Sequence, residues 1–277
     1  MKPAPFEYVR PRTIAEASVH LGKKGVTTAA IAGGQSLVPM LALRVAVPDL
    51  VVDLSRLDDL KLVTETPDSV WIGALTTHAA IEDGKVPDIF SGLMRRVASQ
   101  ISYRAVRNHG TIGGSVALAD PAADWPVCLI ALDATVRFAG RNGVHVEPVA
   151  EFITGQYQTM LDASDVIIGF DVPAPRAKPL RWGFAKVARK SGAFAHSIAI
   201  AVTEGADGPA RVVLSAAGPR PRLLQAASNQ LRAGTEQQIR SAAAADLDIE
   251  FPGLDAYQKR MHLATMMRAV RDMRAAP

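Results

Sequence analysis

Two glycine pairs, each closely followed by a hydroxyl side chain, stand 80 residues apart: Ala32-Gly33-Gly34-Gln35-Ser36 and Thr111-Ile112-Gly113-Gly114-Ser115. The first follows Thr27 to Ala32, a short apolar run tolerant of β structure, so the chain is expected to turn sharply at a strand end. Glycine permits positive φ and lets a ligand approach the main chain closely. Successive amides in such a turn form an anion-binding nest, with phosphate the natural ligand and the Ser36 hydroxyl an added donor. One pair alone is ordinary punctuation between elements. Two can clamp both phosphates of a dinucleotide from opposite sides. Neither fits the G-x-G-x-x-G that opens a Rossmann helix, and no G-x-x-x-x-G-K-[ST] loop is present, which argues against an ATPase or GTPase.

Around these pairs the pattern alternates helix and strand. Thr13 and Glu16 form a capping-box signature ahead of Ala15, Ala17 and Leu21, closed by Gly22 and Gly25. Strands are expected at Leu50 to Leu54, Val70 to Leu75, Thr135 to Phe138 and Val166 to Phe170. Thr77 is placed to cap a short helix through Glu82, and helices are expected over 86–99 and 122–131. Val172 to Pro179 holds three prolines in eight residues and reads as a linker. Beyond it, Phe184 to Val187, Ser197 to Val202 and Arg211 to Ala216 read as antiparallel strands, followed by helices near 221–232, 236–245 and 254–274. This predicts an α+β chain of two domains, 1–175 and 176–277, the first divided near 55–60.

Composition removes several function classes. The 277 residues are 48% apolar with a mean hydropathy of +0.11, enough for a sizeable core, yet no run of about 18 apolar residues suggests a membrane span. The opening MKPAPFEYVRPRT lacks the unbroken apolar segment of a secretory signal, so a cytoplasmic location is expected. Lys and Arg number 31 against 27 Asp and Glu, and aromatics are 5%, a poor match to nucleic-acid binding. The single cysteine, Cys128, excludes an internal disulfide and an iron–sulfur cluster held by this chain's own thiolates. The six scattered histidines suggest no metal site. Redox chemistry, if present, needs an organic cofactor.

The chain resembles the FAD-binding medium subunit of molybdenum hydroxylases, the family of bacterial carbon monoxide dehydrogenase and xanthine dehydrogenase. The resemblance is carried by Ala32 to Leu41 (AGGQSLVPML), by Val106 to Ser115 (VRNHGTIGGS) and by Ala119 to Pro126 (ADPAADWP), with Pro5 to Tyr8 at the start. It implies a two-part, non-Rossmann FAD-binding domain of the PCMH type, then a smaller domain of antiparallel sheet plus helices. It further implies that amides of Gly33 to Leu37 and of Thr111 to Ser115 wrap the FAD pyrophosphate. The implied site then comprises Ala32, Gly33, Gly34, Gln35, Ser36, Leu37, Thr111, Gly113, Gly114 and Ser115. Thr76, Thr77 and His78 form another cofactor-facing turn, and Asp120 and Asp124 hold the ribityl and adenosine parts. Ile167 or Ile168 and Lys186 approach the flavin ring, Lys186 stabilising negative charge at N1 of reduced flavin.

Plainer readings stand beside these. Asp120-Pro121 is also a good helix start, Lys186 beside Arg189 and Lys190 could be a solvated face, and Phe194 could be core. Gln35 sits at a variable motif position. Relatives often have Asn at Ser115 and an acidic residue at Ala193.

The function implied is an electron-transfer subunit. Molybdopterin lies on a large partner and two [2Fe–2S] clusters on a small one, in a dimer of heterotrimers, while FAD here passes electrons to an acceptor. A free-standing flavoenzyme and a non-redox binding module are the rivals. The basic C-terminal helix (Lys259, Arg260, Arg268, Arg271, Arg274) reads first as a solvated face.

Overall fold

The computed structural model describes residues 2–175 and 180–276. Thr13 starts the first helix: its hydroxyl accepts the Glu16 amide at 3.1 Å, while the Glu16 carboxylate takes the Arg12 amide at 2.8 Å, so the capping box closes one residue early. Around that helix a three-stranded parallel sheet forms from β1 (Glu7–Val9), α1 (Ile14–Leu21), β2 (Thr28–Ile31), α2 (Leu37–Ala42) and β3 (Leu50–Asp53), in the order β1-β3-β2. The central strand β3 is buried at every position, as a covered parallel strand must be.

Two 3-10 turns, Leu54–Arg56 and Asp58–Lys61, lead into a second layer. It holds β4 (Val63–Glu65), β5 (Ser69–Gly73), α3 (His78–Glu82), α4 (Leu93–Ser99), α5 (Arg104–Arg107), α6 (Ile112–Leu118) and α7 (Asp124–Ala131). It continues through β6 (Thr135–Gly140), β7 (Gly143–Pro148), α8 (Val149–Phe152), the small hairpin β8 (Ile153–Gly155) and β9 (Gln158–Thr159), and β10 (Val166–Pro173). Its five-stranded antiparallel sheet runs β4-β5-β10-β6-β7. Three sequence expectations change here. The helix expected from Val86 begins only at Leu93, because Pro87 and two left-handed residues, Ser91 and Gly92, interrupt it. The second glycine pair is no turn: Thr111 caps α6, and Gly113 and Gly114 lie in its first turn. Val172 and Pro173 belong to β10, while 176–179 of the expected linker lie outside the described residues.

The last part is an antiparallel sheet of β11 (Leu180–Val187), β12 (Ser197–Glu204), β13 (Ala210–Ser215) and β14 (Arg222–Leu223), backed by α9 (Gln225–Gln230), α10 (Glu236–Glu250) and α11 (Ala256–Ala275). Both of its faces are buried, with unlike side chains. Ile198, Ile200 and Val202 point into the core shared with α7, whereas Ala199 and Ala201 face the helices. All eight residues of α7 are buried, which explains a helix with no polar face: it is enclosed between the last sheet (β12, β13 and β14) and the helices α4, α6 and α8. On the helix side the small residues bring α11 close to the sheet. A Cβ on Gly183 would lie 1.8 Å from the Ala269 carbonyl oxygen and 2.5 Å from the Met273 amide nitrogen, both backbone atoms. Gly183→Ala is therefore expected to cost about 2–3 kcal/mol by overpacking. The check is a urea unfolding midpoint, and an unchanged midpoint would mean that α11 lifts freely.

Candidate functional site

A cavity of about 680 Å³ opens where the three parts meet, within the range of cofactor sites. The first sheet contributes Ala32 to Leu37, the second layer contributes α6, the start of α7 and the beginning of β10, and the last sheet contributes Lys186 and the loop Gly192 to Phe194. The two glycine segments touch directly. A Cβ on Gly33 would lie 1.9 Å from the His109 carbonyl oxygen, and one on Gly113 would lie 2.6 Å from both Cβ and O of Ala74. These glycines permit backbone-to-backbone contact, and Gly34, at φ +70°, makes the turn.

The segments differ in what they offer a phosphate. In α6 the Ile112 amide bonds the Thr76 carbonyl (3.0 Å), Gly113 the Ala74 carbonyl (2.9 Å), Gly114 the Thr111 hydroxyl (3.1 Å) and Ser115 the Thr111 carbonyl (3.1 Å). Those four amides are bonded inside the protein, which the expected two-sided amide clamp did not allow for. In the first segment, the bond from Val38 N to Gly34 O (2.9 Å) opens the ladder of α2. The amides of Gln35, Ser36 and Leu37 precede that ladder and lie on the cavity wall. Among the described residues no arginine lines the wall, whose cationic side chains are Lys186 and Lys190. Ser36 makes no side-chain cap, and the Gln35 amide group donates to the Gly33 carbonyl at 3.0 Å.

Of the turn Thr76 to His78, only His78 reaches the wall. Thr77 caps α3 by accepting the Ala80 amide (3.1 Å) and bridges to Thr111. Thr76 lies behind, its hydroxyl buried with no partner among the described residues. His78 accepts the Trp125 indole N–H on Nδ1 at 2.9 Å. That bond needs a neutral ring with its proton on Nε2, and burial pulls the His78 pKa down to about 4, helped by the Arg107 charge.

His262, buried against Ser197 at 2.9 Å, is likewise pulled down to about 4 by burial. A histidine lowered in the folded state leaves the unfolded chain with more protons, so stability is full above pH 6.5 and falls as pH drops toward 4. His78 alone accounts for about 3 kcal/mol over that window. Burial raises Asp124 to about 6, which acts oppositely, but as one group against two. Urea midpoints at pH 7 and pH 5 should show the loss, and His78→Gln should reduce it.

Asp120 is not a helix cap; Ala123 occupies that position in α7. Its carboxylate accepts the Ala122 amide (2.8 Å) and the Tyr157 hydroxyl (3.3 Å), which holds it at the wall. Ile167 lines the cavity, whereas Ile168 packs against the core of the first sheet. Lys186 is no solvated lysine: its side chain is 8% exposed and its ammonium lies 2.9 Å from both oxygens of Asp124. Phe194 is neither core nor strand, being 62% exposed in the loop at the cavity.

Sequence reasoning missed Ile101 to Tyr103 and Leu161, which also form wall. Arg107 shapes the former by donating to the Ile101 and Ser102 carbonyls at 2.9 Å while paired to Glu82. Gly192 backs the same strip, its carbonyl accepting the Ser102 amide at 3.1 Å. No spacing pattern marks such residues, because long-range contacts alone bring them there.

Residues 4–175 match the family model described as the FAD binding domain in molybdopterin dehydrogenase. The carbon monoxide dehydrogenase medium chain of Hydrogenophaga pseudoflava is 31% identical over 260 residues, 92% of this chain and 90% of that one. The glyceraldehyde dehydrogenase medium chain of Sulfolobus acidocaldarius is 36% identical over 203 residues, 73% and 71% of the two chains. A solved structure of the Hydrogenophaga pseudoflava carbon monoxide dehydrogenase, lacking the Mo-pyranopterin moiety, superposes with a TM-score of 0.92 over 99% of both chains at 32% identity. The α+β fold read from the sequence is the fold of that chain, and the protein belongs to the FAD-binding medium-subunit family of molybdenum hydroxylases.

Proposed function

We propose that this chain is the FAD-carrying electron-transfer subunit of a multi-subunit molybdenum hydroxylase, with residues 1–175, divided near 55–60, and 176–277 as its two domains. The observation that carries the reading is the cavity itself: both motif segments, Asp120, Asp124, Ile167 and Lys186 converge on it from the three parts of the chain. Bound there, FAD supplies a two-electron carrier between the [2Fe–2S] clusters of a small partner subunit and an external acceptor. The residues fit that group. The free amides of Gln35, Ser36 and Leu37 take the pyrophosphate, Ile167 gives the ring an apolar contact, and Asp120 is held where it can accept a hydroxyl. Neutral His78 presents a wall without added charge. The clusters belong to the small partner, since this chain's one cysteine is buried and its thiol is pushed up by burial, unfit to ligate iron, and molybdopterin belongs to the large one.

Relatives named for carbon monoxide and for glyceraldehyde are similar to this chain over most of its length, which supports a module common to complexes with different substrates. The reading places the complex, a dimer of heterotrimers, in the cytoplasm; among the described residues no helix is long and apolar enough to cross a membrane. The flavin is held without a covalent bond.

Reconstitution tests this. The chain should bind one FAD, release it to the supernatant on acid precipitation, and oxidise neither carbon monoxide nor glyceraldehyde alone. A yellow pellet would show covalent attachment. Turnover by the isolated chain would favour the free-standing flavoenzyme, and a chain that takes up no flavin would favour the binding module.

A further inference from the structure

Two residues expected to touch different parts of the cofactor touch each other. Lys186 Nζ lies 2.9 Å from both carboxylate oxygens of Asp124 and 3.4 Å from the Gln100 carbonyl oxygen. The two side chains are 8% and 6% exposed, and both line the cavity. Asp124 opens α7 and Lys186 comes from β11, so the pair spans the junction between the second layer and the last sheet. With both carboxylate oxygens on the ammonium, neither points freely at a ribityl chain. Cys128, one turn along α7, is kept a neutral thiol by burial and by the Asp124 charge, so it does not rebalance the pair.

An isolated ammonium in a poorly solvated cavity favours added negative charge on a neighbouring ring. An ammonium paired at 2.9 Å with a carboxylate presents a much smaller field, because the two charges nearly cancel at any distance large compared with their separation. We propose that Asp124 is a positioning residue: it fixes the Lys186 ammonium at the cavity wall and cancels most of its charge, so that the pair sets the reduction potential of bound FAD. This rests on the reading that FAD occupies the cavity.

The test is a spectroelectrochemical titration of the FAD-loaded full chain, with the Kd for oxidised FAD and the urea midpoint measured alongside. Asp124→Asn leaves the ammonium without its counter-charge. Reduced flavin should then bind about tenfold more tightly relative to oxidised flavin, a rise of about 30 mV for a two-electron couple. The neutral pair Asp124→Asn/Lys186→Gln should return the potential to within about 10 mV of wild type, about a twofold change in that ratio. Asp124→Ser serves as a second neutral variant, with the same sign of shift, if the asparagine variant fails to fold. An Asp124→Asn potential equal to wild type would overturn the proposal. So would a weaker Kd for oxidised FAD with unchanged potential, which would make Asp124 a direct ligand of the cofactor. Wild-type chain that binds no FAD would instead overturn the cofactor reading beneath it.

Discussion

Gly33→Ala is expected to raise the Kd for FAD by at least 100-fold. The added Cβ would fall 1.9 Å from the His109 carbonyl oxygen, 2.6 Å from its carbon and 2.9 Å from the Gly110 Cα. All three are backbone atoms, so no side chain can rotate away. The first glycine segment must retreat by more than an ångström from the second, taking the Gln35, Ser36 and Leu37 amides with it. Hydrogen bonds to a charged acceptor are worth about 1.5–3 kcal/mol each. Losing one or two of them is about 3 kcal/mol, which corresponds to the stated factor. Gly253→Ala is the control, since a Cβ there meets nothing within 4 Å and its φ is unexceptional. Flavin fluorescence quenching reads both variants. Wild-type affinity in Gly33→Ala would show that the contact between the segments does not position the amides.

Lys186→Met should destabilise the fold by about 3–5 kcal/mol, because it leaves the Asp124 carboxylate buried without its counter-ion. The sign of the pH dependence separates this from simple loss of packing. Burial already raises the Asp124 carboxyl to about 6, and the ammonium of Lys186 is what opposes a further rise. Without the lysine the folded-state pKa moves up again. An acid raised in the folded state penalises folding above that pKa, and the penalty is relieved as pH falls through it. The gap between variant and wild type in urea unfolding should therefore be widest near pH 8 and narrow toward pH 6. Adding Asp124→Asn should recover most of the loss. A gap independent of pH would mean that the methionine fails sterically and that the charge of Asp124 is not the cause.

Much of this was legible along the chain, and the divisions follow from range of interaction. Thr13 and Thr77, read as caps, do cap the helices that follow them, through bonds to amides three residues on. Strands with continuous apolar runs, such as β3 and β12, were visible because burial on both faces leaves no other pattern. The exposed edge strand β7 was not, since Val144, His145 and Val146 are all exposed and it is held by pairing to β6. The glycine pairs pointed to the site; the first makes the expected turn, whereas the second, expected as a turn, is helical. Gly113 lies in the first turn of a helix capped by Thr111, and it must be glycine because Ala74 presses against it, a contact between residues nearly 40 apart in sequence. The alternative reading of Lys186 as part of a solvated charge run fails because Asp124, 62 residues earlier, is its partner, a contact no local pattern announces.

A crystal structure of the chain loaded with FAD tests the central claim most directly. The account predicts the pyrophosphate against the amides of Gln35, Ser36 and Leu37, with the ring beside Ile167 and the Asp124–Lys186 pair intact. FAD bound outside this cavity, or a pyrophosphate held by α6 with the first glycine segment turned away, would contradict it.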